Sequence, residues 1–201
     1  MAIRSLVGVV LACLPMVVAA DPLPLPAMSL VVKDDAVPPI VPKQRAFKLR
    51  SGTRLAPVVH IVPPPIGSAG DPTLGGATLT IFNVGGPAQS ATYPLPADRW
   101  SVIGSAENFK GWIFHEASPI EGPIVRVFVK PDKLFVSGGK TNWTYLLGPL
   151  PQGTVAVRLA LGTDEGWCIE APAKAPASSY DTPARFVGEK GATPTACTPV
   201  P

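Results

Sequence analysis

The sequence predicts an all-β protein, a single antiparallel β-sandwich of jelly-roll or immunoglobulin-like type, and three observations support this. First, Val155, Val157, Leu159 and Leu161 alternate with small or polar residues, which gives a strand with one apolar face. Second, 26 prolines and 19 glycines interrupt the 201-residue chain every few residues, a composition that favours short strands over helices. Third, no window of useful length repeats apolar residues with the 3.6-residue period of a helix.

The first 20 residues have the features of a secretory signal peptide. Arg4 provides a positive charge, residues 6–18 form an apolar run, and small residues permit cleavage after Ala20. A lipoprotein anchored through Cys13 is the weaker alternative, because the apolar run continues beyond that cysteine. We therefore expect a secreted or periplasmic protein with no integral membrane segment in its mature chain.

The charge of the mature chain argues against one class of partner. Without Arg4, 16 basic residues stand against 14 acidic ones, which leaves a net charge of +2. This charge is too small and too scattered to indicate nucleic acid. A hydrophobic content of 46% with only 15% charged residues is sufficient to bury a core.

The mature chain is predicted to consist of a leader and one domain. Residues 21–45 are rich in proline and lack a sustained period, so we expect an extended leader or tether, with residues 30–32 as a candidate edge strand. Residues 46–201 are expected to form one all-β domain of about nine to eleven short strands. A tight turn at Pro131 and Asp132 predicts a β-hairpin. Candidate strands lie at residues 47–50, 58–62, 77–84, 90–95, 100–103, 111–115, 123–130, 133–137, 143–147, 153–161, 167–168 and 185–187.

Cys168 and Cys197 remain after removal of the signal peptide. In an exported protein an even pair of cysteines favours one disulfide, and two free thiols are the alternative. With no CxxC spacing and no nearby histidine, the pair is a poor zinc site.

Six segments resemble, in order and spacing, a recurrent uncharacterised domain of exported proteins from environmental bacteria. They are GSAGDPTLGGATLTIFN, PLPADRW, KGWIF, GPIVRVFVKPDKLFVSGGK, LPQGTVAVRLALGTDEGWC and TPARFVGEKGATPTACT. The resemblance covers residues 47–198 and supports a bond between Cys168 and Cys197, but it implies no activity and no cofactor. The chain departs from the family at residues 169–171, where related chains often continue with Phe-Gly-Gly.

Motifs of known enzymes are incomplete in this sequence. His115 and Glu116 begin a zinc-peptidase pattern, but proline occupies the position of the second histidine. Ser137 and Lys140 have SxxK spacing without the partner motifs, and no GxSxG nucleophile elbow is present. His60 is expected to be a partly buried strand residue, and His115 a surface residue. We predict no catalytic residue, no cofactor and no metal site.

Acidic residues leave two weaker alternatives open. A carboxylate pair for glycoside hydrolysis is not visible from spacing alone, and the acidic residues are better interpreted as turn and rim positions. Asp71 and Asp164 lie in glycine-flanked loops where calcium ligands could gather. Neither loop matches a calcium-binding pattern, so we expect turn-capping roles there.

The tryptophans provide the strongest binding hypothesis. Planar indole rings on a β-sheet face can stack on sugar rings, although they also fill cores. Trp143, within the polar run Lys140 to Thr144, is expected to be the most exposed, and Trp100 is the second candidate.

Three functions follow in order of preference. The first is a non-catalytic exported domain with a structural or interaction role at or beyond the cell envelope, its partner an envelope protein or a polysaccharide. The second is a carbohydrate-binding module that uses Trp143 and Trp100. The third is a hydrolase with an unrecognised carboxylate pair.

Overall fold

A computed structural model describes residues 21–34, 45–52, 60–86, 89–118, 122–140 and 142–201. These segments form two β-sheets that pack face to face around one hydrophobic core. The all-β sandwich predicted from the sequence is confirmed. The predicted signal peptide and the lipidation candidate Cys13 lie outside the described residues.

The described residues contain 13 strands, two α-helices of a single turn and one 3₁₀ helix, at Ala97–Arg99. The strands are β1 (Leu23–Pro24), β2 (Ala27–Lys33), β3 (Ala46–Gly52), β4 (Ala77–Asn83), β5 (Ser90–Leu95), β6 (Trp100–Gly104), β7 (Phe109–His115), β8 (Ile124–Lys130), β9 (Lys133–Gly139), β10 (Thr154–Leu161), β11 (Asp164–Pro172), β12 (Asp181–Thr182) and β13 (Arg185–Val187). The α-helices are α1 (Pro72–Gly75) and α2 (Ala177–Tyr180).

The smaller sheet has the strand order β1-β11-β10-β4-β5, and the larger has the order β12-β13-β2-β3-β9-β8-β7-β6. All pairings are antiparallel except that of β1 with β11. Strand β10 lies in the middle of the smaller sheet, where Val157 pairs with Ile81 on one side and Ile169 on the other. Its alternation therefore buries one row of side chains in the core, as the sequence predicts.

The tight turn at Pro131 and Asp132 joins β8 to β9, which confirms the predicted hairpin. Asp132 adopts a positive φ of 59°, a conformation that aspartate tolerates better than most residues. Lys130 therefore pairs with Lys133 at the closed end, and the register then runs on to Phe128 opposite Phe135.

Of the predicted leader, residues 21–45, the structure describes residues 21–34 and 45, and residues 21–34 are part of the β-sandwich rather than a separate tether. Strand β2 lies inside the larger sheet, between β13 and β3, rather than at an edge. Leu30 and Val32 are fully buried. Proline has no amide hydrogen to donate, and the prolines within residues 21–34 all precede Ala27. The seven residues of β2 can therefore hydrogen-bond with a neighbouring strand on each side.

Two candidate strands are not strands in the structure. Residues 60–62 lie in a loop, and the remainder of the 58–62 candidate is outside the described residues. Residues 143–147 alternate between buried and exposed as a strand does, but their amides bond to side chains instead of a neighbouring strand. The N–H of Tyr145 donates to the Tyr93 hydroxyl at 3.0 Å, and that of Leu147 to the Asp34 carboxylate at 3.2 Å.

Candidate functional site

All four tryptophans belong to the hydrophobic core. Trp112 is fully buried, Trp143 is 1% exposed, and Trp100 and Trp167 are each 5% exposed. The prediction that Trp143 and Trp100 form an exposed binding platform is therefore wrong.

Trp143 is buried because it joins the two sheets. Its indole stacks between the ring of Phe47, on β3, and the ring of Tyr93, on β5, with centroid distances of 5.2 and 5.1 Å. Its carbonyl accepts a hydrogen bond from Arg45, whose guanidinium also binds Asp34 at 2.9 Å. The polar neighbours that suggested exposure, Asn142 and Thr144, are themselves exposed.

Trp100 begins strand β6 and faces the core. Its ring packs against Phe114 with a centroid distance of 5.4 Å. Its indole N–H donates to the carbonyl of Leu95 at 3.3 Å, which satisfies the polar atom of a buried tryptophan.

The buried carboxylates hold backbone groups in place. Asp181 accepts from the N–H groups of Gln152 and Gly153 at 2.8 and 2.7 Å, and Glu116 accepts from the N–H of Ser118 at 2.9 Å. The sequence predicts Glu116 at a turn or rim, but it is only 5% exposed, and Asp181 is similarly buried at 7%. Among the described residues, no group of three or more His, Cys, Asp and Glu side chains is arranged to hold a metal ion.

Asp71 caps helix α1, the role expected for it from its loop. Burial raises the pKa of its carboxyl group, but hydrogen bonds from Gly67 and from the amide and hydroxyl of Thr73 outweigh that effect and lower the pKa overall. The carboxylate is therefore committed to the turn that precedes β4.

The two histidines are both exposed. The expectation that His60 is a partly buried strand residue is wrong: it lies in the loop before Ile61 and its Nδ1 approaches a carboxylate oxygen of Asp132 at 3.1 Å. His115 ends β7 at the surface, as expected, opposite Arg126 on β8.

A disulfide joins Cys168 on β11 to Cys197, with 5.9 Å between the two Cα atoms. Next to it, the carboxylate of Glu170 accepts hydrogen bonds from the amide and hydroxyl of Thr198 at 2.6 and 3.0 Å. Arg158 donates to the carbonyl of Thr198. The C-terminal segment therefore lies across the outer face of the smaller sheet.

The outer face of the larger sheet has a different character. Arg50, Phe135, Phe128 and Ile113 lie in one row across β3, β9, β8 and β7, because each pairs directly with the next. This row and its basic neighbours, called the cationic aromatic face below, comprise Lys48, Arg50, Ile113, Arg126, Phe128, Lys130, Lys133 and Phe135.

Two phenylalanines form the centre of this face. The rings of Phe128 and Phe135 lie 5.9 Å apart at an angle of 42°, and both are only partly buried. Three cations surround them, with Arg50 at 5.7 Å from the ring of Phe135, and Arg126 and Lys130 at 5.8 and 6.0 Å from the ring of Phe128. These distances are within the range of cation–π attraction.

The basic groups of this face lack acidic partners within the described part of the chain, where no salt bridge involves them. A groove of about 560 Å³ runs over Arg50, Arg126, Phe128 and Phe135. Asp132 also lines this groove, together with Arg50, Arg126 and Lys133. The groove therefore presents an excess of positive charge beside apolar ring surface.

Sequence reasoning missed this site, although a local signal was present. In β8 and β9, Phe128 and Phe135 share the solvent-facing parity of Arg126, Lys130 and Lys133. An aromatic side chain on the polar side of an alternating strand indicates a surface role or a second core.

No family model, curated protein or solved structure matches the chain. No helix in the described ranges is long and apolar enough to cross a membrane. The resemblance to an exported bacterial domain family remains a prediction.

Proposed function

We propose that this chain is an exported, non-catalytic interaction domain that binds an anionic ligand on its cationic aromatic face. The observation that carries the proposal is the cluster of Arg50, Arg126 and Lys130 around a partly exposed aromatic pair. Such a cluster attracts negative charge, and because none of its cations forms a salt bridge among the described residues, the attraction is available to a partner.

The position of the face in the fold supports this proposal. Strands β3, β9 and β8 are all interior strands of the larger sheet, so their backbones are held by hydrogen bonds on both sides. A site on such strands is rigid, and binding then costs little ordering of the backbone.

Two further observations support the exported and non-catalytic parts. A disulfide between Cys168 and Cys197 is typical of proteins that fold in an oxidising compartment. The buried carboxylates of Asp34, Asp71 and Asp181 are used as acceptors for backbone amides, which is a structural role.

The test is a titration calorimetry series with polygalacturonate, polyglutamate and dextran sulfate, and with neutral dextran as the reference. At least one polyanion should bind while dextran does not. The double variant Arg50→Glu, Arg126→Glu should weaken that binding by about 100-fold, because two charge-assisted contacts are replaced by repulsion.

The matched control is Lys174→Glu with Lys190→Glu, which changes the net charge by the same amount at exposed positions outside the groove. It should bind nearly as the unmodified protein does. Equal losses in both double variants, or no binding of any polyanion, would contradict the proposal.

A further inference from the structure

We infer that the anionic ligand is a polysaccharide of uronic acid units, bound through both its sugar rings and its carboxylates. This inference rests on the proposed function and names the ligand class for the same face. It follows from three features of the site: its aromatic centre, the kind of cation that surrounds it, and its shape.

The aromatic centre requires a ligand with apolar surface. Phe128 and Phe135 stand on the solvent side of their strands, the side that also carries Arg126, Lys130, Lys133 and Ser137. A purely charged ligand, such as an acidic peptide, would leave these rings exposed to water. The C–H face of a pyranose ring can cover them, because stacking against an aromatic ring buries apolar surface on both sides.

The surrounding cations suit carboxylates. Arg50 and Arg126 each place a planar guanidinium beside one ring of the pair, and a guanidinium can bind a carboxylate through two parallel hydrogen bonds. A ligand that offers a ring face and a carboxylate on the same unit satisfies both requirements at once. Uronic acids have this combination.

The shape of the face fits a chain rather than a single sugar. The row from Arg50 through Phe135 and Phe128 to Ile113 crosses four strands, a length of roughly 14 Å at the usual spacing between strands. A second row, from Lys48 through Ser137 and Arg126 to His115, runs beside it. A polymer lying across the strands would therefore meet apolar rings along one row and polar groups along the other.

The tilt between the two rings disfavours single-stranded nucleic acid, the other polyanion that combines rings with charge. Successive bases stack on aromatic side chains through flat, parallel faces. Phe128 and Phe135 are inclined by 42° to each other, so they do not offer two parallel platforms.

The experiment compares four ligands by calorimetry at one ionic strength: polygalacturonate, its fully methyl-esterified form, polyglutamate and oligothymidylate. We expect polygalacturonate to bind at least about tenfold more tightly than each of the others, because only it supplies ring faces together with free carboxylates.

Two double variants separate the contribution of the aromatic rings to binding from that of the guanidinium groups. Phe128→Leu with Phe135→Leu keeps apolar bulk on the sheet but removes the flat rings, and it should weaken polygalacturonate binding by about tenfold. Arg50→Lys with Arg126→Lys keeps the charge but removes the forked donors, and it should weaken the same binding by about three- to tenfold. Unchanged affinity in both double variants would overturn the inference.

The remaining outcomes distinguish this inference from the proposed function. If polyglutamate or oligothymidylate binds as tightly as polygalacturonate and Arg50→Glu with Arg126→Glu abolishes it, the inference fails while the proposed function stands. If the methyl-esterified polymer binds as tightly as the free acid, or if none of the four ligands binds, the inference fails. If dextran sulfate does not bind either, the proposed function fails as well.

Discussion

Charged residues have opposite roles on the outer faces of the two sheets. On the smaller sheet, Arg158 and Glu170 both bind Thr198 in the C-terminal segment. On the larger sheet, Arg50 and Arg126 lie beside aromatic rings and take part in no salt bridge within the described residues. Charge is therefore used to close one face and is left available on the other.

The uncharged residues of the two faces follow the same division. Thr80 and Thr92, on adjacent strands of the smaller sheet, hydrogen-bond to each other at 3.1 Å. Their polar groups are satisfied within the sheet. The phenylalanines of the larger sheet instead keep part of their surface in contact with water, which costs free energy unless a ligand covers it. The contrast supports the proposal that a partner binds the outer face of the larger sheet.

The largest expected effect is a difference in the free energy of unfolding between a variant at an aromatic residue of the core and one at an aromatic residue of the cationic aromatic face. Trp143→Ala should lower the free energy of unfolding by about 3–5 kcal/mol, because it empties the space between Phe47 and Tyr93. Phe135→Thr should lower it by less than about 1 kcal/mol, because its ring is only partly buried and threonine suits a strand. Urea unfolding measures both values, and similar losses in the two variants would show that Phe135 is a core residue.

The next largest effect is expected when the disulfide between the smaller sheet and the C-terminal segment is removed. Replacing Cys168 and Cys197 with serine opens a link between residues 29 positions apart, which should cost about 3–4 kcal/mol in the chain-entropy model. Thermal unfolding under non-reducing conditions tests this change. Polyanion binding to the larger sheet should persist at temperatures where the variant is folded, and its loss there would mean that the two faces are not independent.

A smaller effect compares two arginines on the opposing faces. Arg158→Ala should destabilise the protein by about 1–2 kcal/mol, because it deprives the carbonyl of Thr198 of a charged donor. Arg50→Ala should lower stability by at most about 0.5–1 kcal/mol, the usual value of an exposed cation–π contact such as the one with Phe135. The order of the two losses in denaturant unfolding is the decisive result, and the reverse order would contradict the division of roles.

The smallest expected effect concerns Asp71, which lies on neither outer face and therefore serves as a reference. Asp71→Asn should cost about 1 kcal/mol near neutral pH, because the NH₂ group that replaces one carboxylate oxygen cannot accept the hydrogen bond from the Gly67 N–H. The folded pKa of Asp71 is lowered, so its carboxylate stabilises the fold above the unfolded value of about 3.8–3.9. That contribution disappears as the pH falls through the folded pKa. Unfolding measured from pH 7 downwards should show the difference between the two proteins narrowing in acid, and a constant gap would exclude this role for the charge.

Regular alternation made much of the sandwich predictable from sequence. Strands β8, β9 and β10 have strong two-residue periods and clear turns, so their position and buried faces could be read locally. Strand β2 could not, because it follows three prolines and has a less regular alternation, and what holds it is pairing with β3 and β13 from distant parts of the chain.

The cationic aromatic face was only partly predictable from the sequence. Phe128 and Phe135 stand out within their own strands, but Arg50 joins them only through the pairing of β3 with β9. Trp143 was misassigned for the complementary reason: its neighbours in sequence are polar, while the rings that bury it, on Phe47 and Tyr93, come from the two different sheets. The residues that neighbour Arg50 and Trp143 in the sequence indicate neither of these long-range contacts.

The most direct test of the account is amide chemical-shift mapping of the ¹⁵N-labelled protein during titration with oligogalacturonate. The account predicts shifts concentrated at Arg50, Arg126, Phe128 and Phe135, with little change at Arg158, Thr80 and Thr92. Shifts centred on the smaller sheet, or spread evenly over both faces, would contradict the claim that the cationic aromatic face is the binding surface.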